Sequence, residues 1–262
     1  MDLFGFNPSD LLSFYLTFFR VSIVLFLMPF FGGNSIPVVI KAALALVLSL
    51  ALWPQLSFPG ELMPTGWNIA LMIIGEFILG IILSMIVNFL FAAVQLGGQI
   101  IGFQMGFAMV NVVDPITGTS NAVTAHFLYM CTMLTFLVLN GHLYLIQAMA
   151  TSFQHIPPGG LFINSNLATH FFQFSGIMFT LAVRIAAPIM AALFLVDLAL
   201  ALISRVAPQM HVLVLGFPIK ITVGFFFLGF IFTIMSLYVT DFLRELGPLY
   251  ERILILASPK SP

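Results

Sequence analysis

From Pro115 to Val183 the chain contains no Asp, Glu, Lys or Arg. A stretch of that length without strong charge cannot coat a water-facing surface, because ordinary soluble domains devote about 25% of their residues to charged types. A surface facing lipid has no such need. The rest of the chain agrees: of 262 residues, 61% are hydrophobic and 6% charged. Thirty Phe against two Trp suits lipid-facing or tightly packed positions rather than an interfacial belt. The chain therefore reads as an all-α, polytopic membrane protein.

Several function classes drop out at once. The net charge is −1 and no basic patch is present, whereas nucleic-acid binding needs clustered Lys and Arg. A single cysteine, Cys131, excludes an intramolecular disulfide, a CxxC redox pair and a cysteine-rich metal site. It lies in an apolar run and reads as a small buried hydrophobe. Asp2 and Asp10 precede the first apolar run and no basic residue does. A cleavable signal wants a positive start and a small-residue cleavage site, so the first run is expected to stay.

A spanning helix needs about 20 mostly apolar residues. Six runs are candidates: Leu11 to Phe31, Val38 to Trp53, Asn68 to Val94, Val123 to Met149, Phe171 to Ile203 and Val212 to Val239. The second is short. The fifth is too long for one straight span, and Pro188 inside it predicts a kink or break. Most connections are short and rich in helix breakers. The exception is Gln95 to Asn121, which is long, glycine-rich, and neither polar nor continuously apolar. Six spans would place both termini on one side. Arg244, Arg252 and Lys260 point the tail to the cytoplasm, although Asp241, Glu245 and Glu251 dilute that signal.

Within Gln95 to Asn121, Gly98, Gly102 and Gly106 recur every four residues. That spacing puts three small residues on one helix face and lets another backbone approach closely. It serves either a movable segment inside an assembly or ordinary helix packing. Asp114-Pro115 then stops any helix, since the residue before proline is pushed out of the α region. An irregular apolar backbone at membrane depth must be buried in protein or line a cavity. This loop is therefore the best candidate for a constriction or gate, and a loop at the membrane edge is the alternative.

Arg20, Glu76, Arg184, Asp197 and Lys220 lie inside apolar runs. Each is costly in lipid and should face protein or water. Asp197 and Lys220 are nearly symmetric about Pro208-Gln209, so an antiparallel hairpin would bring them to similar depth, where they pair or help read a neighbouring subunit. Buried ion pairs at subunit contacts explain these five better than a proton relay, which would gather carboxylates. The five histidines show no HExxH or HxxxH spacing. There is no phosphate-binding loop and no GxSxG elbow. The fourteen Met suit irregular packing or a soft seal, and plain core filling accounts for most.

These features resemble the FliR/SctT family of type III export-gate membrane proteins over essentially the whole chain. The resemblance is carried by Arg20 with Pro29, Pro37 to Lys41, Gly75-Glu76-Phe77 with Gly80, and Gly97-Gly98-Gln99 through Gly106-Phe107. Further along it is carried by Asn111 with Asp114-Pro115, Asn140-Gly141-His142, Pro188 to Asp197, and Arg205 through Phe217-Pro218 to Lys220. The resemblance implies a single export-gate membrane domain over residues 1–262. Residues 1–169 would be a FliP-like portion with a plug-type loop at 106–119, and residues 170–262 a FliQ-like hairpin with a short tail. It implies FliP and FliQ as pore partners and FlhB as a contact from the cytoplasmic side. Unfolded secreted subunits would be the cargo, with no cofactor and no catalysis. The site would be the bacterial inner membrane at the flagellar basal body, since the short tail after Val239 favours the flagellar branch. It also implies helices held largely out of the bilayer plane, with apolar runs packed on protein. Under this reading Phe107, Met109, Val110, Val112 and Val113 seal the pore. Asn111, Asp114, Pro115 and Gly118 complete and shape the plug. The rival reading is an ion-coupled secondary transporter or small-molecule channel, for which broken helices and midplane charges also serve. That rival should show related halves, and no inverted repeat is evident in the sequence.

Overall fold

The computed structural model describes residues 8–33, 36–53, 66–107, 123–162, 165–209 and 212–258. Among them there are eight helices and no strand: α1 (Pro8–Leu27), α2 (Pro29–Gly32), α3 (Val38–Leu52), α4 (Gly66–Gln104), α5 (Val123–Val138), α6 (Gly141–His155), α7 (Ser165–Val206) and α8 (Val212–Ala257).

Local chemistry sets the boundaries. Met28 is extended (φ −63°, ψ 140°), and Pro29 opens α2 at its first turn. A proline pre-sets φ for a helix start and forbids α geometry before it. The run Leu11 to Phe31 is thus cut at Met28. The run Val123 to Met149 is also two helices, because Asn140 adopts φ 58° between α5 and α6. Asn followed by Gly is a turn signal, and Asn tolerates the left-handed region better than most residues.

Other runs are longer than the sequence suggested. The glycine-rich segment expected as a connection is helical as far as Gln104, giving α4 39 residues. α7 has 42 residues and continues through Pro188, so the proline does not end the helix. α8 has 46 residues. At 1.5 Å per residue these helices are about 58, 63 and 69 Å long, well beyond a hydrocarbon core of about 30 Å. α1, α4, α7 and α8 are long and apolar enough to cross a membrane, and a broken α5–α6 would add a fifth span. The expected six reduce to five because α3, at 15 residues, reaches only about 22 Å, and to four where the broken α5–α6 pair is not counted as a span.

The chain divides into two compact units. One comprises the described residues within Met1–Asn88, Asn140–Phe174 and Leu243–Pro262. Leu16, Val21, Val24, Leu79, Leu83, Ile86, Leu145 and Met149 form its core. Polar ties are few. Trp53 Nε1 donates to Ser13 Oγ at 3.0 Å, Asn88 Nδ2 to the Leu27 carbonyl at 2.8 Å, and the buried Tyr250 hydroxyl to the Leu83 carbonyl at 2.8 Å. The other unit comprises the described residues within Phe89–Leu139 and Ser175–Phe242. There Phe91 packs on Tyr129 and Phe136, each with ring centroids 5.5 Å apart. In this unit α8 buries Leu228, Ile231, Met235 and Val239, a stripe in three- and four-residue steps. Its other faces leave Phe225, Phe226, Phe230 and Leu237 exposed.

Candidate gate segment and buried charges

Three glycines at equal spacing do three different jobs. Gly98 lies on α4 where a Cβ would come within 2.5 Å of Ala125 Cα, a backbone atom of α5. Thr124 Oγ1 donates to the Gly98 carbonyl at 2.7 Å across the same contact. Gly102 supplies a carbonyl rather than a surface: the Phe107 N–H bonds to it at 3.1 Å, while the Gly106 N–H bonds to the Phe103 carbonyl at 3.1 Å. With Gly106 at φ +89°, this is a Schellman cap, the six-to-one and five-to-two bonds closing around a left-handed residue. The expected third member of the packing face, Gly106, is therefore not on the helix at all. It ends the helix because glycine alone takes that φ without cost.

The cap fixes where the loop starts. Met105 is fully buried, and a Cβ on Gly224 of α8 would meet its side chain at 2.6 Å. Gly106 lies under the Phe217 ring, where a Cβ would meet the ring at 2.8 Å. The Phe107 and Phe225 rings contact edge to face at 6.3 Å. Met105, Gly106 and Phe107 are thus seated on α8 at the end of α4. Met109, Val110, Asn111, Val112, Val113, Asp114, Pro115 and Gly118 lie outside the described residues. Replacing Gly106 by Ala should cost about 1–2 kcal/mol for the left-handed backbone and displace Phe217. The check is thermal unfolding in mild detergent, and an unchanged midpoint would reject this role for the cap.

Of Arg20, Glu76, Arg184, Asp197 and Lys220, four pair within the chain. Arg20 and Glu76 are fully buried, with side-chain exposures of 0% and 2%. Arg20 Nε donates to Glu76 Oε2 at 2.5 Å and Nη2 to Oε1 at 2.9 Å, a two-pronged carboxylate grip. Nη1 donates to Ser152 Oγ and to the Ile156 carbonyl, both at 3.1 Å. The guanidinium also stacks on Phe153, 4.1 Å from its centroid. Glu76 Oε1 accepts a further bond from the Gly159 N–H at 2.8 Å. That donor exists because Pro157-Pro158-Gly159-Gly160 folds as a turn, with Gly160 N–H on the Pro157 carbonyl at 2.9 Å and Gly159 at φ +77°. Proline then glycine at the central positions is the type II pattern. One ion pair thereby ties α1, α4, α6 and the turn after α6.

Asp197 of α7 and Lys220 of α8 form a half-exposed ion pair, as their near-symmetric placement predicted. Arg184 of α7 is exposed and has no ion pair among the described residues.

Comparison with known proteins places this architecture. Residues 11–246 match the family of bacterial export proteins, family 1. The chain belongs to this family. It is 35% identical over 219 residues to the flagellar biosynthetic protein FliR of Bacillus subtilis, covering 82% of this chain and 84% of that protein. It is 34% identical over 206 residues to FliR of Escherichia coli, covering 78% of each. The Yop proteins translocation protein T of Yersinia pestis is 30% identical over 186 residues, covering 70% of this chain and 71% of that protein. The FliR/SctT resemblance and the membrane-embedded, export-apparatus role therefore hold for this export protein.

Sequence reasoning found Arg20 and Glu76 but not their pairing or their partners Ser152, Phe153, Ile156 and Gly159. The only local signal is the Pro157-Pro158-Gly159-Gly160 turn pattern.

Proposed function

We propose that this chain is a non-enzymatic, pore-forming subunit of the flagellar type III export gate. It assembles with FliP and FliQ, contacts FlhB, and passes unfolded flagellar subunits across the bacterial inner membrane at the basal body. The observation that carries the reading is the match to the export family over residues 11–246. The FliR relatives at 35% and 34% identity support the flagellar branch. Two structural features support it further. The apolar faces left exposed on α7 and α8, at Phe179, Phe194, Phe225 and Phe226, need lipid or protein cover. The Schellman cap at Gly106 gives the segment from Phe107 to Thr119 a rigid start, as a plug requires.

Native mass spectrometry of the chain co-expressed with FliP and FliQ of the same source tests the reading. A discrete hetero-oligomer with one copy of this chain is expected. A monomer or homo-oligomer beside unbound partners would sink it. Deleting residues 108–118 tests the plug separately. Ion leak through reconstituted complexes should rise at least tenfold while the same oligomer forms. A deletion complex as ion-tight as wild type would leave the segment without a sealing role.

A further inference from the structure

Among the described residues Arg184 has no ion pair, and unlike Lys41, which donates to the Gly33 carbonyl, it is exposed. Arg20 is neutralised by Glu76, and Lys220 by Asp197. Arg184 stands near the middle of α7, about 28 Å along the helix from Ser165 and about 33 Å from Val206. Along α7 the nearest charge is Asp197, about 20 Å away. A snorkelling side chain covers only a fraction of such distances. Its exposed neighbours Ile177, Phe179 and Val183 are apolar, so this part of α7 offers no water-facing surface of its own. A bare guanidinium at that depth is too costly to leave uncovered.

The same face carries a second unmet group. Pro188 has no N–H, so the Arg184 carbonyl one turn earlier has no intrahelical donor. Pro188 is exposed and lies four residues from Arg184, on the same helix face. In membrane helices such carbonyls are satisfied by a neighbouring helix or an ordered water. Gly176, Thr180, Ala187 and Ala191 are exposed on this side and are small enough for a second helix to come close. One residue thus presents a cation and a free acceptor on a smooth apolar face.

We propose that this face seats a transmembrane helix of another subunit carrying an Asp or Glu, whose carboxylate meets the Arg184 guanidinium. The inference rests on the reading of the chain as a subunit of an assembly and is independent of the plug. It names the chemistry of one contact: a carboxylate to the guanidinium and a hydroxyl, amide or water donor to the freed carbonyl.

The test uses the full-length chain in native membranes with its partners. A photo-crosslinking amino acid at Ala187 or Ala191 should label a transmembrane peptide of another subunit with Asp or Glu within one turn of the linkage. Arg184→Glu should lower recovery of that subunit with the chain at least tenfold, and Arg184→Lys should retain most of it. Changing the labelled carboxylate to Arg should restore recovery with Arg184→Glu. Crosslinks to lipid alone, or to residues 108–122 of this chain, would overturn the proposal. So would wild-type recovery with Arg184→Glu, since a water-filled lumen would tolerate either charge. Failure to recover any partner with the unmodified chain would overturn the assembly reading as well.

Discussion

Glu76→Ala should lose most of the folded protein from the membrane. The substitution leaves the Arg20 guanidinium, which has no exposure, without its counter-charge. It also strips the Gly159 N–H of its acceptor. Removing one partner of a buried pair costs about 3–5 kcal/mol, against a total stability of about 5–15 kcal/mol for an ordinary domain. Arg20→Ala should be as severe, because it strands the carboxylate and frees Ser152 and the Ile156 carbonyl together. The double variant Arg20→Met with Glu76→Leu should lie closer to wild type than either single change, since no buried charge remains. It should still fall short of wild type, because each orphaned polar partner costs about 1–3 kcal/mol. Arg20→Lys should not substitute, as an ammonium cannot grip the carboxylate in two places while reaching Ser152 and Ile156. Unfolding in mild detergent of the wild type, Arg20→Met, Glu76→Leu and that double variant gives the coupling energy directly. Independent sites add within about 0.5 kcal/mol. Simple additivity here would mean that the pair is not the tie the geometry describes.

The contrast between the two ion pairs shows what a sequence of this kind discloses. Asp197 and Lys220 flank one turn, so helix geometry alone brings them together. Arg20 and Glu76 lie on different helices separated by two others, and nothing local links them. The sequence could say only that each needed a partner. The breaks at Met28 and Asn140 follow the same logic in reverse. Their signals, Met28-Pro29 and Asn140-Gly141, are local and lie in the sequence, but the surrounding apolar composition outweighed them. Composition reports whether a segment avoids water, not whether its backbone stays helical. The opposite holds at residues 95–104, a segment that reads as a connection with a helical glycine face but lies within the unbroken helix α4. Glycine weakens a helix by about 1 kcal/mol at most, and close packing at Gly97 and Gly98 more than offsets that. The seating of Met105, Gly106 and Phe107 on Gly224, Phe217 and Phe225 was beyond reach for the same reason as Glu76, being contact between remote helices.

Gly98→Ala and Gly229→Ala should shift stability in opposite directions, although helix propensity treats them alike. Gly229 stands inside α8 with nothing within 4 Å of a built Cβ. Alanine there should gain about 0.5–1 kcal/mol from the restricted unfolded chain and better propensity. At Gly98 the same methyl would lie 2.5 Å from Ala125 Cα, 3.0 Å from its nitrogen and 3.2 Å from the Thr124 carbonyl. All three are backbone atoms of α5, so no side chain can swing aside and the helices themselves must part. Overpacking of this kind costs about 1–3 kcal/mol. Parting the helices also stretches the bond from Thr124 to the Gly98 carbonyl, worth about 1 kcal/mol, and loosens Phe91 from Tyr129 and Phe136. The net loss should be about 2–4 kcal/mol, with Gly98→Leu worse still. Equal stabilisation at both positions would mean that α4 and α5 do not touch at Gly98. Opposite signs would establish the close contact of α4 with α5 that precedes the cap at Gly106.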